Sequence, residues 1–316
     1  MTKTSSILLL ALLFASVFGL TAESALAATS KQQTMVSAAQ TDPLKDATVN
    51  LFCRIHVKDK TYVASGSGVF VSERGVILTN AHVAEFFLLH GKKGRVGGKC
   101  SVRTGSPAKE MYSASILYIP SSWLEQNVSE ISGRLVKGSG KQDFALLYIT
   151  DAKKGALPDA LPFLPLDMMT TTATGTPVTI LGYPTGDLDA TEIRKELKAL
   201  AATSTVSEIE SFEGSGMPDL MTVASSSAGS HGISGGPIVN SSNEIEALVS
   251  VKPKDDDDRR LRGITISYID RELRALTSLS LSSMLAGDFE AIANTTKESI
   301  SAEIMMNLKE ALKERR

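Results

Sequence analysis

The chain has 316 residues, with 33 Lys and Arg against 35 Asp and Glu, a formal net charge of −2, and 42% hydrophobic against 22% charged residues. These proportions exclude wholesale disorder, a collagen-like repeat and a disulfide-dense miniature scaffold. The near-zero charge supplies no basic field for a phosphate backbone, so nucleic acid is not an expected partner.

Residues 1–27 read as an export signal. Lys3 supplies a positive start, Ile7 to Leu20 is a 14-residue apolar run, and Ala25-Leu26-Ala27 gives the small-x-small pattern of a cleavage site. The rival reading, a membrane anchor, requires roughly 20 apolar residues. No later stretch reaches that length, so no stable membrane span is expected, and cleavage near Ala27 places the protein in the periplasm or outside the cell. Residues 28–45 are polar and aperiodic and predict a flexible lead-in.

From there the chain alternates short β-type runs with Gly, Ser, Asn and Asp punctuation. Strands are predicted at Thr48–Val57, Thr61–Val63, Gly68–Val71, Gly75–Thr79, Tyr112–Ile119 and Phe144–Ile149. A second group follows at Pro177–Gly182, Thr203–Ile209, Leu220–Ala224, Gly236–Val239, Ile245–Val251 and Gly263–Tyr268. A dozen strands with brief helical interruptions predict an all-β sandwich or barrel fold rather than a βαβ sheet. The Pro- and Ala-rich stretch Ala152–Met169 bridges the two groups, and the basic, Gly-rich run GKKGRVGGK (91–99) reads as a surface insertion.

The last segment changes period. Phe289, Ile292, Ile300, Ile304, Leu308 and Leu312 recur mostly at three- and four-residue spacing with Lys and Glu between them, the mark of an amphipathic helix. A short helix is also expected near Ile269–Leu276. The tail either packs on the β-body or docks a partner or a second copy. Cys53 and Cys100 lie after the export signal, where an oxidising compartment lets them pair. Such a bridge stabilises by roughly 4 kcal/mol in the chain-entropy account; two separate buried thiols are the alternative.

Chemistry concentrates in three separated segments. In His231-Gly232-Ile233-Ser234-Gly235-Gly236-Pro237 a serine sits among glycines, which suits a nucleophile on a tight turn. The N–H groups of Gly232 and Ser234 could then form an oxyanion hole. A serine hydroxyl needs a base, and Thr79-Asn80-Ala81-His82-Val83 offers His82 at a strand exit. His56 lies inside a strand pattern and His90 ends an apolar run, so both fit that role less well. A carboxylate must orient the imidazole; Asp143, directly before the apolar run Phe144–Ile149, stands between His82 and Ser234 in the His…Asp…Ser order.

The trio TNAHV, DFALL and GISGGP resembles the trypsin/chymotrypsin-like serine proteases, in the bacterial Deg/HtrA-like branch. Leu181-Gly182-Tyr183-Pro184 is similar to a segment of their second barrel. The resemblance spans roughly residues 45–276. It implies two six-stranded antiparallel Greek-key barrels, here about 46–151 and 170–268, within a protease domain over 46–276 and followed by a helical tail over 277–316. It also implies His82 as general base, Asp143 as orienting acid, Ser234 as nucleophile, and Gly232 and Ser234 as oxyanion donors, with no metal or cofactor. Ile233 occupies the place where trypsin-type zymogens carry an Asp, so activation through a new N-terminus is not expected. About 40 residues follow the protease region, too few for the PDZ domain usual in that branch.

By the same resemblance Ala228, six before the nucleophile, lines the base of the primary pocket and offers no carboxylate to a Lys or Arg. Ser250, Val251 and Lys252 resemble the wall along which substrate main chain pairs. Together they predict a small or medium aliphatic side chain before the cut, whereas His231 points instead to an acidic one. Asp255–Asp258 lacks the ligand spacing of a calcium loop and reads as a solvated turn. The expected function is an exported serine endopeptidase acting on proteins or peptides. The rivals are a catalytically silent two-barrel protein that binds peptides and an esterase using the same residues.

Overall fold

The computed structural model describes residues 38–127, 139–169, 172–214, 216–224, 226, 231–251 and 260–314. Twelve strands close into two antiparallel barrels of six. The first runs β1 (Thr48–Val57), β2 (Lys60–Phe70), β3 (Val76–Thr79), β4 (Val96–Thr104), β5 (Lys109–Tyr118) and β6 (Ala145–Ala152), in the spatial order β1-β2-β3-β6-β5-β4. The second runs β7 (Pro177–Gly182), β8 (Leu200–Glu210), β9 (Leu220–Val223), β10 (Pro237–Val239), β11 (Ile245–Val251) and β12 (Leu261–Thr265), in the order β10-β11-β12-β9-β8-β7. This is a trypsin-like fold.

Period-two side-chain alternation decides which residues fill each barrel. Along β1, Val49, Leu51, Cys53, Ile55 and Val57 all enter the first barrel's core. On β6, Ala145, Leu147 and Ile149 face that core, while Leu146 joins a second apolar layer. This layer gathers Val76 and Leu78 from barrel one, Leu181, Leu248 and Ile264 from barrel two, and Ile269 and Leu273 from a C-terminal helix. Barrel two has its own interior of Val178, Ile180, Val206, Met221, Ile238, Ala247 and Val249. The middle layer fastens the two barrels together, and the site lies along that seam.

Several elements differ from the sequence pattern. The strand predicted at Gly263–Tyr268 ends at Thr265, where the chain turns helical. The single predicted tail helix is broken into Leu281–Ala286, Phe289–Ser299 and Ala302–Glu314. The two runs predicted at Thr61–Val63 and Gly68–Val71 are one strand, β2, because its Ser65-Gly66-Ser67-Gly68 stretch pairs continuously with β1. The basic run at 91–99 ends in β4 rather than in a surface insertion, and β4 pairs with β1 from Val96 to Arg103. Gly97 belongs there because a Cβ would meet Lys92 O at 2.1 Å and the His56 ring at 2.6 Å. The residues just before β1 form a helix, α1 (Ala38–Ala47), where a flexible lead-in is predicted; Leu44 and Ala47 are buried in the middle layer.

Cys53 and Cys100 face each other across the β1–β4 ladder and are joined in a disulfide. After β12 the chain turns into α5 (Ile266–Thr277), capped by the Thr265 hydroxyl on the Tyr268 N–H, then α6 (Leu281–Ala286), α7 (Phe289–Ser299) and α8 (Ala302–Glu314). The intervening short helices are α2 (Ala81–Ala84), α3 (Ser121–Asn127) and α4 (Ala190–Lys195). The tail's apolar stripe is spent on this chain's own β-body: Ile304, Leu308 and Leu312 are buried in the first core, and Thr296 donates to Leu117 O at 2.8 Å. Arg74 stacks on Phe289 at 3.9 Å and donates to Leu285 O and Gly287 O, which pins the α6–α7 junction to barrel one. No described helix is long and apolar enough to cross a membrane.

Candidate active site

β3 is buried over its whole length and carries the chain to Asn80, from which the single turn α2 lifts His82 into the seam. Asp143 closes a turn just before β6, its N–H donating to Gly140 O at 3.1 Å. The two meet twice. Asp143 Oδ1 accepts the His82 backbone N–H at 3.0 Å, and Oδ2 lies 2.8 Å from His82 Nδ1. Ser250 on β11 donates its hydroxyl to the same Oδ2 at 2.7 Å, and Asn80 Nδ2 donates to the Asp143 carbonyl at 2.9 Å.

This arrangement fixes the protonation pattern. Asp143 is only 4% exposed. Burial alone would raise its carboxyl, but the His82 charge and the hydrogen bonds from His82 and Ser250 outweigh that cost and hold it below the usual carboxylate range. An ionised Asp143 is an acceptor only, so the proton between the two rests on His82 Nδ1. With Nδ1 carrying that proton, Nε2 is the ring nitrogen that can accept one.

Gln142 sets the aim of Asp143. Its backbone is left-handed at φ 58°, costly for a residue with a Cβ. Three contacts hold it: its N–H donates to Tyr268 Oη at 3.0 Å, its Nε2 to Glu272 Oε2 at 3.1 Å, and its Oε1 accepts from Ser122 Oγ at 2.7 Å. α3 and α5 therefore buttress the turn that carries the carboxylate.

The Ser234 loop is held differently, by backbone and by lack of side chains. Gly232 and Gly235 have φ of 88° and 83°. A Cβ on Gly235 would lie 2.1 Å from Ser67 O and 2.4 Å from Thr79 Oγ1; one on Gly236 would lie 2.1 Å from Leu181 O. Glycines at both positions let the loop press into the seam beside β2, β3 and β7. Ile233 is buried in the barrel-two core, so an apolar anchor holds this position where a zymogen-type enzyme would use an ion pair. Gly235 N–H donates to Val249 O at 2.8 Å and Val249 N–H to Gly236 O at 2.9 Å. The strand carrying Ser250 thereby ties this loop to Asp143.

His82, Asp143 and Ser250 are thus joined by side-chain hydrogen bonds, while Ser234 reaches them through Gly235 against Thr79, three residues before His82. The Ser234 hydroxyl has no hydrogen-bond partner among the described residues, and neither have the Gly232 and Ser234 N–H groups. His231 is exposed, its carbonyl accepting from Thr185 N–H at 2.6 Å. Val251 pairs with Arg262 on β12. Ala228 and Lys252 lie outside the described residues, as do residues 1–27 and Asp255–Asp258. Sequence reasoning assigns Ser250 to the substrate wall and misses its bond to Asp143. It quotes Asn80 only as a neighbour of His82 and passes over Gln142, whose role arises from barrel closure and leaves no local motif. Among the described residues no group of His, Cys, Asp and Glu is placed to hold a metal ion.

Two solved structures similar to this chain are of Rv3671c from M. tuberculosis. The inactive form shares 17% identity at a TM-score of 0.46, covering 77% of this chain and 94% of that one. The active form of the Rv3671c protease shares 20% identity at 0.45, covering 76% and 87%. No curated protein matches the sequence significantly. Residues 66–248 match the model of the trypsin-like peptidase domain, more than half of the chain, from the glycine-rich stretch of strand β2 to the strand that ties the Ser234 loop to Asp143. The chain belongs to the trypsin-like peptidase family.

Proposed function

We propose that the protein is an exported serine endopeptidase in which His82, Asp143 and Ser234 form the catalytic triad. The observation that carries the reading is the doubly bonded pair of Asp143 with His82, on the strand system that also grips the Ser234 loop. Ser234 Oγ attacks the peptide carbonyl carbon while its proton passes to His82 Nε2. The carbonyl oxygen becomes an oxyanion and takes hydrogen bonds from the Gly232 and Ser234 N–H groups. Collapse breaks the C–N bond, and His82 gives the proton to the leaving amine. His82 then deprotonates a water that attacks the acyl-enzyme, which returns Ser234 and frees the new carboxyl terminus. Asp143, kept ionised by His82 and Ser250, stabilises the imidazolium formed at each step.

Lys3, the apolar run to Leu20 and the Ala25-Leu26-Ala27 pattern support export, and N-terminal sequencing of secreted protein starting at Ala28 is the expected result. Ala228 and Val251 support a small or medium aliphatic side chain before the cut; a dominant Arg or Lys preference in a peptide library overturns that assignment. For the triad itself, a fluorophosphonate probe is expected to label folded wild type and not Ser234→Ala. Equal labelling of the two places the reactive nucleophile on another residue and removes Ser234 from the role; labelling of neither leaves a two-barrel protein that binds peptides without turnover.

A further inference from the structure

Ser67 is fully buried on β2 and belongs to barrel one, yet two of its hydrogen bonds go to the nucleophile loop of barrel two. Its N–H donates to Ser234 O at 2.8 Å. Its hydroxyl donates to Gly232 O at 2.8 Å and accepts from Tyr183 N–H at 2.8 Å. Its carbonyl accepts from Thr79 Oγ1 at 2.7 Å, which fixes Ser67 to the strand leading to His82. One residue therefore holds the carbonyls of both residues whose N–H groups face the oxyanion in the mechanism above.

We infer that Ser67 is a positioning residue for the oxyanion hole, its hydroxyl setting the direction of the Gly232 N–H. The inference rests on the Ser234 reading and extends it. Gly232 has the freedom that makes such a device necessary: with no Cβ, either peptide flanking it can turn over at little cost. The peptide before it is held where His231 O accepts the Thr185 N–H at 2.6 Å. Across a trans peptide the N–H points opposite to the carbonyl, so the Gly232 N–H is aimed away from Thr185. The peptide after it is held by the Ser67 hydroxyl on Gly232 O. Because that hydroxyl also accepts from Tyr183 N–H, it spans Gly232 and the segment Tyr183–Thr185 and keeps the two at a fixed spacing. That spacing has no slack, since a Cβ on Gly232 would lie 2.6 Å from Tyr183 O and 2.9 Å from Thr185 N. Without the hydroxyl, the Gly232 carbonyl loses the Ser67 bond that fixes the peptide after Gly232.

The test compares full-length wild type, Ser67→Ala and Ser67→Cys, using the rate of fluorophosphonate labelling across pH and the thermal midpoint of each sample. Ser67→Ala is expected to lower the high-pH plateau of the labelling rate about 10- to 100-fold, short of the 100- to 1,000-fold cost of deleting a donor outright. The pH midpoint of labelling, which follows His82, is expected to stay at the wild-type value, because the His82–Asp143 pair is untouched. Ser67→Cys keeps a weaker donor on a somewhat larger atom and is expected to fall between the two; it carries the test if Ser67→Ala does not fold. A folded variant that labels at the wild-type plateau overturns the inference. A moved midpoint with an unchanged plateau also overturns it, because that is the mark of general loosening at the seam. Absence of labelling in wild type fails at the earlier step, the assignment of Ser234 itself.

Discussion

The two halves of the site are built on opposite principles. The His82–Asp143 half is made of side chains: a buried carboxylate takes hydrogen bonds from His82 Nδ1, His82 N–H and Ser250 Oγ. The Ser234 half is made mostly of backbone, with glycines at 232, 235 and 236 packed against main-chain atoms of Ser67, Leu181 and Tyr183 and one side-chain hydroxyl, that of Ser67, on Gly232 O. The first half is therefore sensitive to charge and insensitive to small changes of shape. The second tolerates no added carbon and carries no charge to perturb. Burial makes both rigid, but the first holds a proton at a stated atom and the second holds a direction.

Asp143→Asn breaks the contrast from the charged side with the largest effect. Shape is kept while His82 loses the acceptor that fixes its tautomer, and kcat is expected to fall on the order of 10,000-fold, about 5.4 kcal/mol, with little change in thermal midpoint. Removing the disulfide by Cys53→Ala with Cys100→Ala is a control away from both halves. It should cost about 4 kcal/mol in denaturant unfolding, the loop spanning 47 residues, while the labelling rate per folded molecule stays at the wild-type value. Gly235→Ala attacks the backbone half. A left-handed backbone and a Cβ 2.1 Å from Ser67 O together should cost about 3 kcal/mol or more, seen as a lowered thermal midpoint together with lost labelling.

Ser250→Ala is the smallest change and works through acidity. The fold holds the Asp143 carboxyl below its ordinary value, so its contribution to stability is fully present above the unfolded value of about 3.9 and is lost as pH falls through the folded one. Deleting the Ser250 hydrogen bond raises the folded value. The acid-unfolding midpoint should therefore move to higher pH, and the rate near neutrality should fall about 10-fold. An unmoved midpoint would mean that Ser250 contributes nothing to holding the charge.

The motifs and the fold class were legible because each is local: a strand ending in Thr79-Asn80-Ala81-His82, an acid before an apolar run, a serine among glycines. The strand total of twelve agrees with the structure for a mixed reason. β2 reads as two strands because Ser65 to Gly68 looks like a turn, and β4 is missed because Gly97 and Gly98 look like a loop. Both glycine pairs are strand residues whose missing side chains make room, Gly66 for Val83 and Gly97 for Lys92 O and His56. Ser67, Gln142 and Ser250 were beyond local reading. Their partners lie 165, 130 and 107 residues away, and only the closing of two barrels onto one seam brings them together. The tail was half legible: its stripe is plain, but that Ile304, Leu308 and Leu312 bury against this chain's own first barrel follows from the packing alone.

The central claim is that His82, aimed by Asp143, activates Ser234. Its most direct test is mapping the fluorophosphonate adduct by peptide mass spectrometry in wild type and in His82→Ala. The account predicts one adduct, on Ser234, reduced at least 1,000-fold in rate when His82 is removed. An adduct on another residue, or a Ser234 adduct formed at the same rate without His82, would contradict it.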